Sequence, residues 1–263
     1  MTEVDICNQA LGRIHAGSII SLEETDTSPQ AAACRTYYEH CLKELLISYD
    51  WNFALVTLFL DDGLNISERH EQRLAAIETW NKEHTGSEIS DVLISELQNH
   101  YEKESHEYNY LYDLPSDLMR IVDIRHAGES LYRTTERPDV EIGNSRFYGS
   151  DKSKEGSYVF DSTKTTGRWP DELVSGAIFQ DRVPRTVIKS KYSGLTLQYV
   201  SYIEDTNLYP NNFTEVLVLN LALKLTIQFN NDKILFQGLL GLYNQALERA
   251  KIYDCRQVSM SYL

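Results

Sequence analysis

The sequence predicts an α+β chain: a helical bundle formed by N- and C-terminal helices, a central β domain, and an inserted helical hairpin. Three observations predict it. Apolar residues recur at helical spacing near both ends, short β-favouring runs broken by Gly, Pro, Asp and Ser fill the middle, and a polar helix-favouring stretch precedes them. With 263 residues the chain can bury a sizeable core. The corresponding organisation is 1–60 and 203–263 as one helical domain, 61–107 as the inserted hairpin, and 108–202 as the β-rich domain.

At the start, Thr2 ahead of Asp5 suits a capped helix, with Val4, Ile6, Ala10 and Leu11 on one face and Gly12 as its end. Ile14 to Leu22 reads as a connector. Ser28-Pro29 then supplies an N-cap and a first-turn proline for a stronger helix running to about Tyr49, with Ala33, Tyr37, Cys41, Leu42, Leu45 and Tyr49 at helical spacing. Trp51 to Leu60 is almost unbroken apolar sequence and predicts a buried strand or extended segment, ended by Asp61-Asp62-Gly63.

Ser67 to Glu104 reads as two helices. Leu74, Ile77 and Trp80 form one stripe, Ile89, Val92, Leu93, Leu97 and Tyr101 another, and Thr85-Gly86-Ser87 separates them. Strands are expected at Ile121 to Ile124, Tyr158 to Phe160, Thr186 to Lys189 and Leu195 to Tyr202. In the last of these, Leu195, Leu197, Tyr199 and Ser201 share one face.

The chain then returns to helix. Asn212 and Glu215 have the spacing of a capping box, and Phe213 to Phe229 is apolar nearly all round, the mark of a central buried helix. A second helix follows Asn230-Asn231-Asp232 and runs to about Cys255. Its Gly238 and Gly241 cost helix stability, roughly 1 kcal/mol each, and so point to close packing against another helix. The tail Arg256 to Leu263 carries no strong fold signal.

Composition narrows the function. The 39 acidic residues against 25 basic ones leave a net charge of -14, which argues against an electrostatic grip on nucleic acid or an anionic membrane. No stretch is long and apolar enough to span a bilayer, and the first residues do not read as a secretory signal, so a cytoplasmic site of synthesis and assembly is expected. The four cysteines, Cys7, Cys34, Cys41 and Cys255, lack zinc or redox spacing and read as reduced, buried thiols.

Three signatures join predicted helices to extended chain: Tyr49-Asp50-Trp51-Asn52-Phe53-Ala54, Tyr112-Asp113-Leu114-Pro115-Ser116-Asp117 running on through Arg120 to Ile121, and Tyr209-Pro210-Asn211-Asn212-Phe213-Thr214-Glu215. They combine large packing groups with turn formers, not convergent nucleophiles or ligands. Trp51 and Phe53 read as core, Pro115 as the fixer of a turn, and Asp117 as a cap for local backbone amides.

Taken in order, Leu-Leu-x-x-Tyr-x-Trp-Asn-Phe-Ala over Leu45 to Ala54, Tyr-x-Leu-Pro-x-Asp over Tyr112 to Asp117, and Tyr-Pro-x-x-Phe-x-Glu over Tyr209 to Glu215 resemble the tail tubular protein A family. These are the head-to-tail adaptors of podovirus-type bacteriophages. The opening Ile6 to Ile14, Ile19 to Leu22, Ala33-Cys34, and the late residues Tyr243, Ala246, Ala250 and Asp254 are similar to the same family. The segment Asp61 to Ser105 departs from it as an insertion.

The resemblance implies a structural virion protein of the tail and neck. It would form a homododecameric ring that binds the portal protein ring, receives the tail nozzle protein, and lets double-stranded DNA pass through its lumen without specific binding. Its structural signature would be Trp51, Asn52, Phe53, Leu114, Pro115, Asp117, Tyr209, Pro210 and Phe213. Arg256, Met260 and Tyr262 are the candidate portal contacts. No catalytic residue, metal or cofactor is expected, and no membrane partner.

Two other classes are considered beside it. The acidic pairs Glu23-Glu24, Asp61-Asp62 and Asp171-Glu172 admit a tail-associated glycan hydrolase, which needs two carboxylates a few ångströms apart. His100 and Glu104, four apart on a predicted helix, admit a metal, although such pairs are usually solvated surface. The other class is a non-viral soluble interaction domain.

Overall fold

The computed structural model describes residues 1–61, 63–83, 91–105, 108–131, 140–144, 186–230 and 232–260. Its elements in chain order are helices α1 (Glu3–Arg13) and α2 (Pro29–Ser48), strands β1 (Leu55–Leu60) and β2 (Leu64–Asn65), helices α3 (Ile66–Glu83) and α4 (Asp91–Ser105), and strands β3 (Tyr110–Asp113), β4 (Leu118–His126), β5 (Glu129–Ser130), β6 (Val140–Asn144), β7 (Thr186–Ser190) and β8 (Leu195–Ser201). A 3₁₀ turn (Thr206–Leu208) then leads into α5 (Asn211–Phe229) and α6 (Lys233–Met260). The fold is α+β with two antiparallel sheets, of order β1-β8-β4-β5 and β2-β3-β7-β6. The chain divides into two compact units, 1–57 with 117–122 and 198–263, and 58–116 with 123–197.

In the first unit, α1 opens on a reciprocal cap. The Asp5 amide donates to Thr2 Oγ1 at 3.2 Å, and the Thr2 amide donates to Asp5 Oδ2 at 2.8 Å. The helix passes Gly12 and ends one residue later, because the left-handed residue is His15 (φ 55°), whose amide turns back to the Gly12 carbonyl. The Ser28 hydroxyl accepts from the Ala31 amide above Pro29, so α2 begins where the cap and proline predict.

Helix α5 has twelve buried residues among its 19, which is why it lacks an amphipathic pattern: α1, α2 and α6 all pack on it. Its start differs from the expected capping box. Pro210 is the N-cap, with no side-chain cap bond, and the Thr214 amide donates to the Pro210 carbonyl. Proline presets the extended backbone there, so Asn212 already lies inside the helix.

Helix α6 is capped by Asp232, whose Oδ1 accepts from the amides of Ile234 and Leu235. It runs through Arg256 to Met260, beyond the expected end near Cys255, because that stretch holds no glycine or proline to break it. Gly238 and Gly241 are corrected as packing residues: among the described residues a β-carbon at either would meet nothing within 4 Å. The thiols of Cys7, Cys34 and Cys41 are buried, whereas Cys255 is exposed, against the expectation of four buried cysteines.

Trp51 to Leu60 is not one buried strand. Trp51 to Ala54 closes a turn, with the Ala54 amide donating to the Trp51 carbonyl at 2.9 Å, and β1 follows at the end of its sheet with Thr57, Leu58 and Phe59 exposed. An end position leaves part of a strand open to solvent, so an apolar run need not be buried on both faces.

In the second unit, β3 pairs with β7 in the register Tyr112↔Ile188, and β6 pairs with β7 through Ile142↔Ile188. Ile66, Tyr108, Leu111 and Val187 form the small core below. Helices α3 and α4 pack together as an expected pair of helices, with Ile77 buried. A buried histidine, His70, also holds them: its ring stacks on Tyr101 at 4.1 Å, and its Nε2 lies 2.8 Å from Gln98 Oε1. The two-residue turn Ala127-Gly128 joins β4 to β5 with both residues at positive φ, the geometry that matches strand twist.

The expected strand Tyr158 to Phe160, the separator Thr85-Gly86-Ser87, Ile89, Asp62, Asn231, Asp171-Glu172 and Tyr262 lie outside the described residues. So do the side chains of Val92, Leu93, His100, Glu104, Arg256 and Met260.

Candidate functional site

The first and third signatures meet in the first unit as one aromatic joint. The Trp51 ring meets Phe213 edge-on at 5.2 Å, Phe53 meets Phe213 at 4.8 Å, and Tyr209 meets Phe213 at 5.3 Å and Phe53 at 6.1 Å. Tyr49 meets the other side of Trp51 at 5.1 Å. These separations, edge-to-face in all but the tilted Phe53 and Tyr209 pair, match what ring quadrupoles favour, adding about 0.5–1.5 kcal/mol per pair beyond the area buried.

Polar atoms at the joint are paired locally. The indole Nε1 of Trp51 donates to the Leu45 carbonyl at 2.8 Å, which lets a wholly buried tryptophan sit beneath the end of α2. Tyr209 donates its hydroxyl proton to the Ile203 carbonyl at 2.7 Å.

Asn52 ties this joint to the last helix. Its amide donates to both carboxylate oxygens of Asp254 at 3.1 Å, and its Nδ2 donates to the Asp254 carbonyl at 2.6 Å. One residue on, Cys255 Sγ lies 2.8 Å from the Tyr49 hydroxyl. Asp254 is only 6% exposed, and burial pushes its carboxyl above the usual range, with the Asn52 hydrogen bonds offsetting this in part. Residues 202 apart are therefore held together by one short turn.

The middle signature divides between the units. Asp117 and Arg120 belong to the first: Asp117 accepts from Ser201 Oγ at 2.6 Å and from the Tyr199 hydroxyl at 3.2 Å, while its carbonyl accepts from the Tyr202 amide at 2.7 Å. It binds strand hydroxyls, not the local amides expected of a cap. Arg120 forms an ion pair with Asp50 of the first signature.

Tyr112, Leu114 and Pro115 belong to the second unit. The Tyr112 hydroxyl donates to the Tyr192 carbonyl at 3.0 Å and accepts from the Gly194 amide at 2.9 Å. Its ring also leaves no room at Gly63, where a β-carbon would come within 2.5 Å. Leu114 and Pro115 are half-buried.

Sequence reasoning chose Trp51, Asn52, Phe53, Tyr209, Pro210 and Phe213, and the structure brings these together. It missed Asp254 as the partner of Asn52, His70 as a packing residue, and Tyr192, whose ring stacks on that of His126 at 4.5 Å. Asp254 sits one turn beyond Ala250 on the buried face of α6, so its position in the apolar stripe was the available signal. Among the described residues no group of three or more His, Cys, Asp or Glu side chains could hold a metal ion. Nor is any helix of the described residues long and apolar enough to cross a membrane.

No family model matches the sequence, and no curated protein is significantly similar to it.

Proposed function

We propose that this chain is a structural virion protein, a head-to-tail adaptor of the podovirus type. Twelve copies would ring the portal vertex, accept the tail nozzle and line the channel through which DNA leaves. The single observation that carries this proposal is the joint. The two signatures that most define the resemblance, Tyr49 to Ala54 and Tyr209 to Glu215, pack into one cluster whose asparagine holds the last helix. A scaffold wedge needs such a fixed corner; an enzyme needs converging reactive groups.

In this proposal the terminal helices form a bundle that makes the ring wall and its contacts with neighbours and portal. The β domain faces outward or toward the tail. Arg256, Met260 and Tyr262 meet the portal. The net charge of -14 suits a lumen through which a polyanion slides without sticking. The protein acts mechanically, without cofactor or catalysis, in the neck of a virion assembled in the host cytoplasm.

Mass measurement of the full chain with and without its portal ring tests the proposal. A complex of twelve copies with portal supports it; no association under any condition opposes it. Deletion of 256–263 is expected to abolish attachment to portal rings while leaving the far-ultraviolet circular dichroism of the remainder intact.

A further inference from the structure

Helix α6 buries one face and leaves the other bare. Leu239, Ala246, Ala250 and Asp254 are buried. On the opposite face Ile234, Gly238, Gly241, Gln245, Glu248 and Ile252 follow one another at intervals of four and three, the spacing of a helix-to-helix seam, and every one is exposed. Ile234 and Ile252 stand at its ends, 83% and 51% exposed, with Leu242 alongside. Exposed apolar residues scattered singly are ordinary; a line of them marks a contact surface. Between the isoleucines, Gly238 and Gly241 cost helix stability, and among the described residues nothing would meet a β-carbon there. A stripe with bulky ends and a bare middle lets another backbone come close.

Charge selects the occupant. Lys233 and Arg249 flank the stripe and have no carboxylate partner among the described residues: Glu248 pairs with Lys251 at 3.1 Å, and Asp232 is taken up by the helix cap. In a chain with 39 acids against 25 bases, this face is locally cationic. Its complement lies in the same unit. Glu3, Glu39 and Glu204 come together from α1, α2 and the segment before the 3₁₀ turn. Burial, then the neighbouring Glu204 and Glu39 carboxylates, hold the Glu3 carboxyl above its usual range. Lys43, on Glu39 at 2.5 Å, and the Met1 ammonium, on Asn207, offset these acids in part, and the adjacent Leu208 is exposed. Helices α1 and α2 pack on one another and on α5, whereas among the helices α6 packs mainly on α5, so the acidic surface and the stripe are separate faces.

We infer that the outer stripe of α6 seats a second copy of this chain, which presents its Glu3, Glu39 and Glu204 surface to Lys233 and Arg249. The two patches differ, so the contact is head-to-tail and repeats in one sense from copy to copy. Such contacts form a ring when the rotation between copies closes, and for that closure the inference rests on the adaptor proposal. A net charge of -14 opposes association in general, so copies meet where a cationic face is offered to an acidic one. A lipid surface suits the stripe less, because its centre holds glycines and Gln245 where a membrane-bound helix carries apolar side chains.

Sedimentation equilibrium of the full chain up to about 1 mM tests the seat. Self-association is expected, and Gly238→Gln with Gly241→Gln should weaken it about tenfold or more. At low concentration the same variant should melt about 2–4 °C higher, because glutamine favours helix and enters open space. Glycines with a merely structural role would not move the two readouts in opposite directions. Lys233→Glu with Arg249→Glu, and Glu39→Lys with Glu204→Lys, should each stay monomeric alone and associate when mixed. A monomer at every concentration, association unchanged by the glycine variant, or charge variants that do not recover on mixing would overturn the seat. Flotation of the chain with phosphatidylcholine vesicles that the glycine variant abolishes would overturn it too, by giving the stripe to lipid. Where association persists in every variant, the ring of copies still stands and its seam lies elsewhere.

Discussion

Two tyrosine-bearing signatures are put to different use in the two units. Around Phe213, in the first, rings pack edge-on with one another, and the surrounding polar atoms serve to seat them. Around Tyr112, in the second, one hydroxyl bridges two backbone groups of the Tyr192 to Gly194 turn, while its ring fills the space that Gly63 leaves. The first arrangement draws on buried area and fails as a whole when a ring is removed. The second draws on directional bonds and fails locally.

The contrast is broken most directly by Trp51→Ala. It deletes a wholly buried ring between Tyr49 and Phe213 and leaves the Leu45 carbonyl with the Ser48 hydroxyl as its side-chain donor, so chemical denaturation should report a loss of about 3–5 kcal/mol. A loss below about 1 kcal/mol would mean that the joint does not hold the helices. Tyr112→Phe keeps the ring and removes the two hydroxyl bonds, with an expected cost of about 1–3 kcal/mol. Amide hydrogen exchange should rise at Gly194 and leave Trp51 protected; protection lost equally at both would erase the distinction.

Asp254 sharpens the comparison from the polar side. Its folded carboxyl titrates above the usual aspartate range because burial disfavours the charge. The associated stability is therefore fully present below the unfolded pKa and is lost as pH rises through the folded one. Asp254→Asn retains an acceptor for the Asn52 amide without the buried charge. It should match the native chain at neutral pH or exceed it slightly in melting temperature, while falling behind under acid.

Asp26 has the opposite sign and the smallest effect. Its carboxylate accepts from the Ser28 and Ile20 amides, and hydrogen bonding led by Ser28 lowers its pKa from 3.8 to about 2. Its contribution is present above the unfolded value and is lost as pH falls through about 2. Melting curves of the native chain and Asp26→Ala should differ at pH 5 and converge by about pH 2.

How much of this was legible in the sequence follows from what sets each feature. Ser28-Pro29 carries its own cap and first-turn restraint, so the start of α2 is a local property. The all-round apolarity of Phe213 to Phe229 likewise states its central burial. The start of α5 was misread because Pro210 presets the extended backbone ahead of Asn212. Glycines 238 and 241 were misread because a helix cost signals packing only if something packs there, and among the described residues nothing does.

The candidate site was legible in its rings and opaque in its ties. Trp51, Phe53, Tyr209 and Phe213 announce themselves as packing groups, yet the Asn52 to Asp254 contact spans nearly the whole chain, where periodicity has no reach. The same holds for His70 on Tyr101: the tyrosine lies on an expected apolar stripe, but the histidine belongs to none, so periodicity does not pair them.

A side-chain reconstruction of the neck of intact virions tests the adaptor proposal most directly. The proposal predicts twelve copies of this chain closed around the axis beneath the portal, with the Trp51, Phe213 and Asn52 joint holding the last helix in every copy. Density showing the chain elsewhere in the particle, or absent from that vertex, would contradict it.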